Sequence, residues 1–99
     1  METDVVTPVE PAYAIAPSVL HREVDQQMVL LDIQSEKYFG LNDVGADMVR
    51  RLTSQPLDEA LASLERDYEV DREVLRKDVD VLVDSLLAAG LLVRNGGAG

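Results

Sequence analysis

The sequence contains no cysteine and no tryptophan, and it has a single histidine. Without thiols, disulfide bridges, thiolate nucleophiles and the thiol-rich zinc sites are excluded together, and a chain that needs no bridges fits the cytoplasm. His21 has no thiolate and no second imidazole with which to share a metal, so it is read as a surface residue of a strand rather than as a ligand or a base. No run of the chain approaches the roughly 20 apolar residues that cross a bilayer, so no membrane association is expected. The segment 1–17 is interrupted by Pro8, Pro11 and Pro17 and carries acids where a secretory signal has a basic start. Basic side chains are also scarce: 9 Lys and Arg stand against 19 Asp and Glu, a formal charge of -10. That field repels the phosphate backbone from which nucleic-acid binders draw most of their affinity, so nucleic acid is not an expected partner. A basic peptide or protein face would be steered towards it, although acidity also serves solubility alone.

What is present is enough for one core. The chain has 99 residues, 46% of them hydrophobic, which suits a single globular domain that folds without metal. Residues 1–13 lack periodicity and are expected to form a flexible arm, and 95–99 a flexible tail, leaving a domain over 14–94. Within it strands come first and helices after, the order of an α+β domain. Val19–Val24 reads as a first strand and Asp25-Gln26-Gln27 as the polar connection after it. Met28–Ile33 reads as a second strand, and Gln34-Ser35-Glu36 as a turn into a third, Lys37–Leu41. An antiparallel meander is the economical arrangement.

Asn42 or Asp43 is placed to cap a helix whose apolar positions are Val44, Met48, Val49 and Leu52. Pro56 suits the first turn of a second helix, with Asp58 and Glu59 near its positive end. Leu57, Leu61, Leu64 and Tyr68 form its inward stripe. Asp71 opens the third and longest helix, and Gly90 is placed to end it in the left-handed conformation, with Leu91-Leu92-Val93 returning over the core.

The third helix carries the most information. At 100° per residue Leu75, Val79, Leu82, Val83 and Leu86 fall together as a core stripe. A second row, Val74, Asp78, Val81 and Ser85, lies about a quarter turn away. This row either flanks the core or lines a groove. A three-stranded sheet has two edges, and an exposed edge is a template for a strand from another chain. If the third strand runs beside the third helix, the pair makes a groove with main-chain groups on one wall and side chains on the other.

The order Leu30-Leu31-Asp32, Lys37-Tyr38-Phe39-Gly40-Leu41-Asn42, Val44-Gly45-Ala46, Asp78-Val79, Leu86 and Gly90-Leu91-Leu92 resembles the PqqD-like proteins, or RiPP recognition elements, over about residues 14–94. The resemblance implies a winged-helix-like fold, a three-stranded antiparallel sheet followed by three helices. It also implies a non-catalytic role. By the same resemblance, the leader segment of a ribosomally synthesised precursor peptide is expected to add as a strand to the third strand, pack on the third helix and be delivered to a modifying enzyme such as a protease, a cyclase or a radical enzyme. Carried onto this sequence, the peptide contacts fall on Lys37, Tyr38, Phe39, Gly40 and Leu41 and on Val74, Asp78, Val81 and Ser85. The sequence departs from the commonest family pattern at Met48 or Val49, where an aromatic residue is usual, and at Leu82, where Phe is usual; each change keeps an apolar residue.

No catalytic constellation, cofactor site or metal site is expected. So acidic a chain offers carboxylate pairs by chance, Asp71 with Asp78 among them, and Gly96-Gly97-Ala98-Gly99 has neither the preceding strand nor the following lysine and helix of a phosphate loop. Two alternatives remain: a winged-helix DNA-binding regulator, which shares the fold class, and a scaffold subunit of an enzyme complex. The first needs a basic recognition helix, and in the third helix Glu73, Asp78, Asp80 and Asp84 outweigh Arg72, Arg76 and Lys77.

Overall fold

The structure, a computed structural model, describes residues 10–95. Its elements are β1 (Tyr13–Ile15), β2 (Val19–Val24), β3 (Gln27–Asp32), β4 (Lys37–Leu41), α1 (Asp43–Leu52), α2 (Leu57–Tyr68), α3 (Arg72–Ala88) and β5 (Leu92–Arg94). The α+β class, the antiparallel β2–β3–β4 sheet and the three helices that follow it are those expected from the sequence.

Two left-handed residues make the first hairpin. Asp25 and Gln26 have φ of 53° and 75°, the type I′ geometry whose twist matches that of the strands it joins. Val24 therefore pairs with Gln27, and the connection is two residues rather than the three expected. The second turn closes at Glu36, also left-handed at φ 63°, with its N–H donating to the Asp32 carbonyl at 2.7 Å. The Asp32 carboxylate accepts from the Gln34 N–H at 3.0 Å and the Ser18 hydroxyl at 3.1 Å. The Gln34 bond, opposed by slight desolvation and aided by Ser35 and Ser18, lowers its pKa.

The sheet buries one face. Met28, Leu30 and Leu41 point inward and are buried with Val49, Leu86, Leu91 and Leu92 in one core cluster. A second cluster joins Met48, Leu52, Leu61 and Leu64 of α1 and α2 to Leu75, Val79 and Val83 of α3. Leu82 and Leu87 pack against both clusters, so α3 spans the whole interior.

Local chemistry fixes the start of α1 and the end of α3. The Asn42 side chain accepts from the Gly45 N–H at 2.8 Å, and a Cβ on Gly45 would lie 3.3 Å from that same oxygen, so the glycine lets the cap close. At the end of α3, Gly90 has φ 76°. The Leu91 N–H donates to the Leu86 carbonyl at 2.9 Å and the Gly90 N–H to Leu87 at 3.0 Å, the paired bonds of a Schellman turn. That turn sends Leu91 and Leu92 back into the core.

Further details differ from the sequence reading. Val44 is 38% and Tyr68 39% exposed, so neither belongs to a buried stripe. Tyr68 instead donates its hydroxyl to Asp47 at 2.8 Å, because a polar tip on an apolar ring favours a boundary position. Leu82 is half-buried rather than fully so. The main difference lies at the ends, where β1 pairs antiparallel with β5, Tyr13 opposite Arg94 and Ile15 opposite Leu92. Beyond this pair the Asn95 N–H donates to Ala12 at 2.8 Å and the Asn95 amide to Pro11 at 3.0 Å. The pairing thus takes in Tyr13 and Asn95, residues read as arm and tail, with Asn95 bonded to Pro11 and Ala12 of the arm as well; residues 1–9 and 96–99 lie outside the described residues.

A charged network ties α1 to α2. Arg51 donates to Asp47 at 3.0 Å and reaches Asp67 at 2.8 Å. Desolvation pushes the Asp47 carboxyl up, but hydrogen bonds from Arg51 and Tyr68, with the charges of Arg51 and Arg50, outweigh it and hold its pKa below the usual carboxylate value. A carboxyl held low in the folded state contributes stability above its unfolded pKa and loses that contribution as pH falls through the folded value.

Two outcomes follow for stability. Leu86→Ala is expected to cost roughly 2–5 kcal/mol, as a fully buried large-to-small change does, and Leu82→Ala less; chemical denaturation reads both, and an unchanged midpoint for Leu86→Ala would refute the packing of α3. Asp47→Asn is expected to destabilise by under about 1 kcal/mol at pH 7, since the network is partly solvated. The gap from the parent protein should narrow below about pH 4, and melts across pH that keep a constant gap would contradict the network's role.

Candidate functional site

The hairpin turn determines which backbone groups of the sheet are free. A two-residue turn closes on a hydrogen-bonded pair, and in an antiparallel ladder such pairs alternate with non-bonded ones. Val24–Gln27, Arg22–Val29 and Leu20–Leu31 are therefore the bonded pairs of β2 and β3. Met28, Leu30 and Asp32 consequently direct their N–H and C=O groups at β4, where they meet Leu41, Phe39 and Lys37. The N–H and C=O groups of Tyr38 and Gly40 are left pointing away from the sheet. No strand among the described residues pairs with that side of β4.

Side chains of β4 alternate accordingly. Leu41 is buried and Phe39 half-buried on the inner face, both at the cluster that contains Leu86 of α3. Tyr38, 75% exposed, and Gly40 lie on the outer face, and Lys37 is exposed at the start of the strand. Leu82 of α3 packs against the same core cluster as Phe39.

On α3 the second row is off the core. Val74 is 53% and Val81 68% exposed, and Asp78 and Ser85 are exposed with them. Beside them Leu75, Val79, Val83 and Leu86 are buried, so the row can change without touching the interior. Exposed valines on a helix whose core face is already filled offer apolar surface to a further element.

The sheet edge thus supplies main-chain donors and acceptors, and the helix row supplies apolar contacts around one carboxylate. This equipment suits holding an extended peptide. Among the described residues no three His, Cys, Asp or Glu side chains cluster so as to hold a metal ion. His21 is exposed on β2.

Sequence reasoning missed a shallow depression of about 280 Å³ on the outer face, lined by Val24, Gln27, Val29, Gly40 and Asn42 among others. The outward phase of Tyr38 and Gly40 was also missed; its signal is the two-residue Asp25-Gln26 turn, which the sequence reading took as the three residues Asp25-Gln26-Gln27.

Known proteins bear on the site at this point. The structure is similar to one described as "TbiB1 in Complex with the TbiA(beta) Leader Peptide", with a TM-score of 0.72 and 27% identity over 80% of this chain and 93% of that one. It is also similar to "Lasso peptide synthetase B1 complexed with the leader peptide", with a TM-score of 0.70 and 33% identity over 83% of this chain and 98% of that one. A comparison with curated protein sequences finds no significant match. The family model described as "Coenzyme PQQ synthesis protein D (PqqD)" matches residues 27–92, a span that runs from the first residue of β3 to the first of β5, and the chain belongs to the PqqD family.

Proposed function

We propose that this protein binds the leader segment of a ribosomally synthesised precursor peptide as a strand added to β4, and delivers it to a modifying enzyme without catalysing a reaction itself. The observation that carries this reading is the unpaired edge of β4, with the Tyr38 and Gly40 main-chain groups directed outward. Both similar structures are complexes with leader peptides, which supports the same ligand here. Lys37, Tyr38, Phe39, Gly40 and Leu41 form the strand wall. Val74 and Val81 pack apolar side chains of the peptide, Asp78 meets a polar or basic group on it, and Ser85 closes the row. In strand addition the main-chain bonds supply affinity and the side-chain pockets selectivity.

The DNA-binding alternative fares poorly. Asp78, Asp80 and Asp84 are exposed on α3, where a recognition helix needs basic charge. No helix among the described residues is long and apolar enough to cross a membrane, and an encounter with a nascent precursor peptide fits the cytoplasm.

Val81→Glu places a charge on the row while leaving the core stripe intact, and it should weaken leader binding by about tenfold or more without loss of fold. Proline scanning tests the phase of the sheet. Tyr38→Pro removes an outward N–H, which an edge strand tolerates, and should weaken binding with little loss of stability, whereas Phe39→Pro breaks the ladder to β3 and should destabilise the domain. Calorimetric titration with the cognate leader and thermal melts read these effects. Amide shifts on titration that spare both Lys37–Leu41 and Val74–Ser85 would refute the model.

A further inference from the structure

Gly40 is unexplained by the fold of the free protein. Its φ lies outside the left-handed region, and a Cβ added there would meet nothing within 4 Å. Neither backbone conformation nor crowding therefore requires glycine at this position. Glycine inside a strand weakens it, through chain entropy and the missing side-chain contact, and it often marks a place where something else approaches closely.

What approaches is indicated by the surroundings. Gly40 lies directly opposite Val29, on the outer face, and the two line the shallow depression with Val24, Gln27 and Asn42. Its volume of about 280 Å³ falls below the roughly 300–1,000 Å³ of small-molecule sites, and it is open to solvent. It suits one side chain rather than a cofactor. Gly40 belongs both to the lining of the depression and to the β4 edge that presents free main-chain groups, so a strand added to that edge runs past it. Side chains of such a strand alternate, one set turning towards α3 and the other to the outer face. An outer-face residue across from Gly40 finds no side chain opposite it. From about 5 Å away it can fold over the glycine and reach the next strand at Val29, as aromatic residues do when they cover a glycine across a strand pair.

We infer that the depression over Gly40 is a specificity pocket for one aromatic or large aliphatic side chain of the bound peptide, on the face of the added strand opposite to α3. This inference rests on the strand-addition reading above and deepens it. Selectivity then comes from both faces of the peptide: Val74 and Val81 read one set of alternating residues, and the gap at Gly40 reads a single residue of the other set.

Gly40→Val tests it, because the side chain projects into open space and a β-branched residue suits a strand. The free variant should melt at or above the temperature of the parent protein. The probe is a display library of random peptides about fourteen residues long, selected separately on the parent protein and on Gly40→Val, with the binding site of enriched peptides mapped by amide shifts. On the parent, peptides that map to Lys37–Leu41 should share an aromatic or large aliphatic residue at one fixed position. Replacing that residue by Ala should cost about tenfold in affinity on the parent and little on the variant, and selection on Gly40→Val should favour a small residue there. Peptides that map to β4 but show no such position, or the same large residue on both proteins, would overturn the pocket and leave strand addition standing. Peptides that map away from β4 would overturn both.

Discussion

The Asp25–Gln26 turn sets the phase of everything built on the sheet. Two consecutive left-handed residues are unfavourable for L-amino acids, yet they make the connection two residues long and so fix which pairs of β2 and β3 exchange bonds. From that phase follow the inward rows of Met28, Leu30 and Leu41, the outward row of Leu31 and Tyr38, and the direction of the free groups on β4. A slip of one residue would turn the core row to solvent and the outer row to the helices. The penalty for a slip is the burial of most of the core, and the register of the open edge is therefore as secure as the fold itself.

That open edge is unusual for a small domain. Exposed strands invite unwanted pairing, and proteins blunt them with charges, prolines or covering elements. Here Lys37 is the only charged residue of β4, and the two remaining strands, which might have covered it, pair with each other as β1 and β5. Stability is drawn instead from α3, whose buried stripe serves both core clusters. The helix divides its duties by face. One face holds the domain together, and the adjoining row of Val74, Asp78, Val81 and Ser85 stays available.

Much of this was legible in the residues. Period-two and helical patterns located the three strands of the main sheet and all three helices, and the split of α3 into a core stripe and a second row came from spacing alone, while the exposure of that row came from the structure. Gly90 was readable as a helix stop because only a left-handed residue satisfies the last carbonyls of α3 in that way. What escaped were features that depend on partners far apart in sequence. β1 and β5 are three residues each, too short to show a period, and they exist because the Schellman turn aims Leu92 back at Ile15. Tyr68 looked like a core residue by spacing, and only the position of Asp47 on another helix explains why its ring stays at the boundary. The meaning of Gly40 was hidden for a similar reason: a glycine in a strand shows its significance only once its neighbourhood is seen to be empty.

The clamp of Asn95 onto Pro11, Ala12 and Tyr13 brings the two ends of the described chain side by side. In topological terms the domain is nearly a ring, with its opening placed between Glu10 and Asn95. Moving that opening to the exposed bend around Ser54, between α1 and α2, would preserve every neighbour that each strand and helix now has. It follows that the chain enters the described domain and leaves it at neighbouring points on one surface, beside the β1–β5 pair.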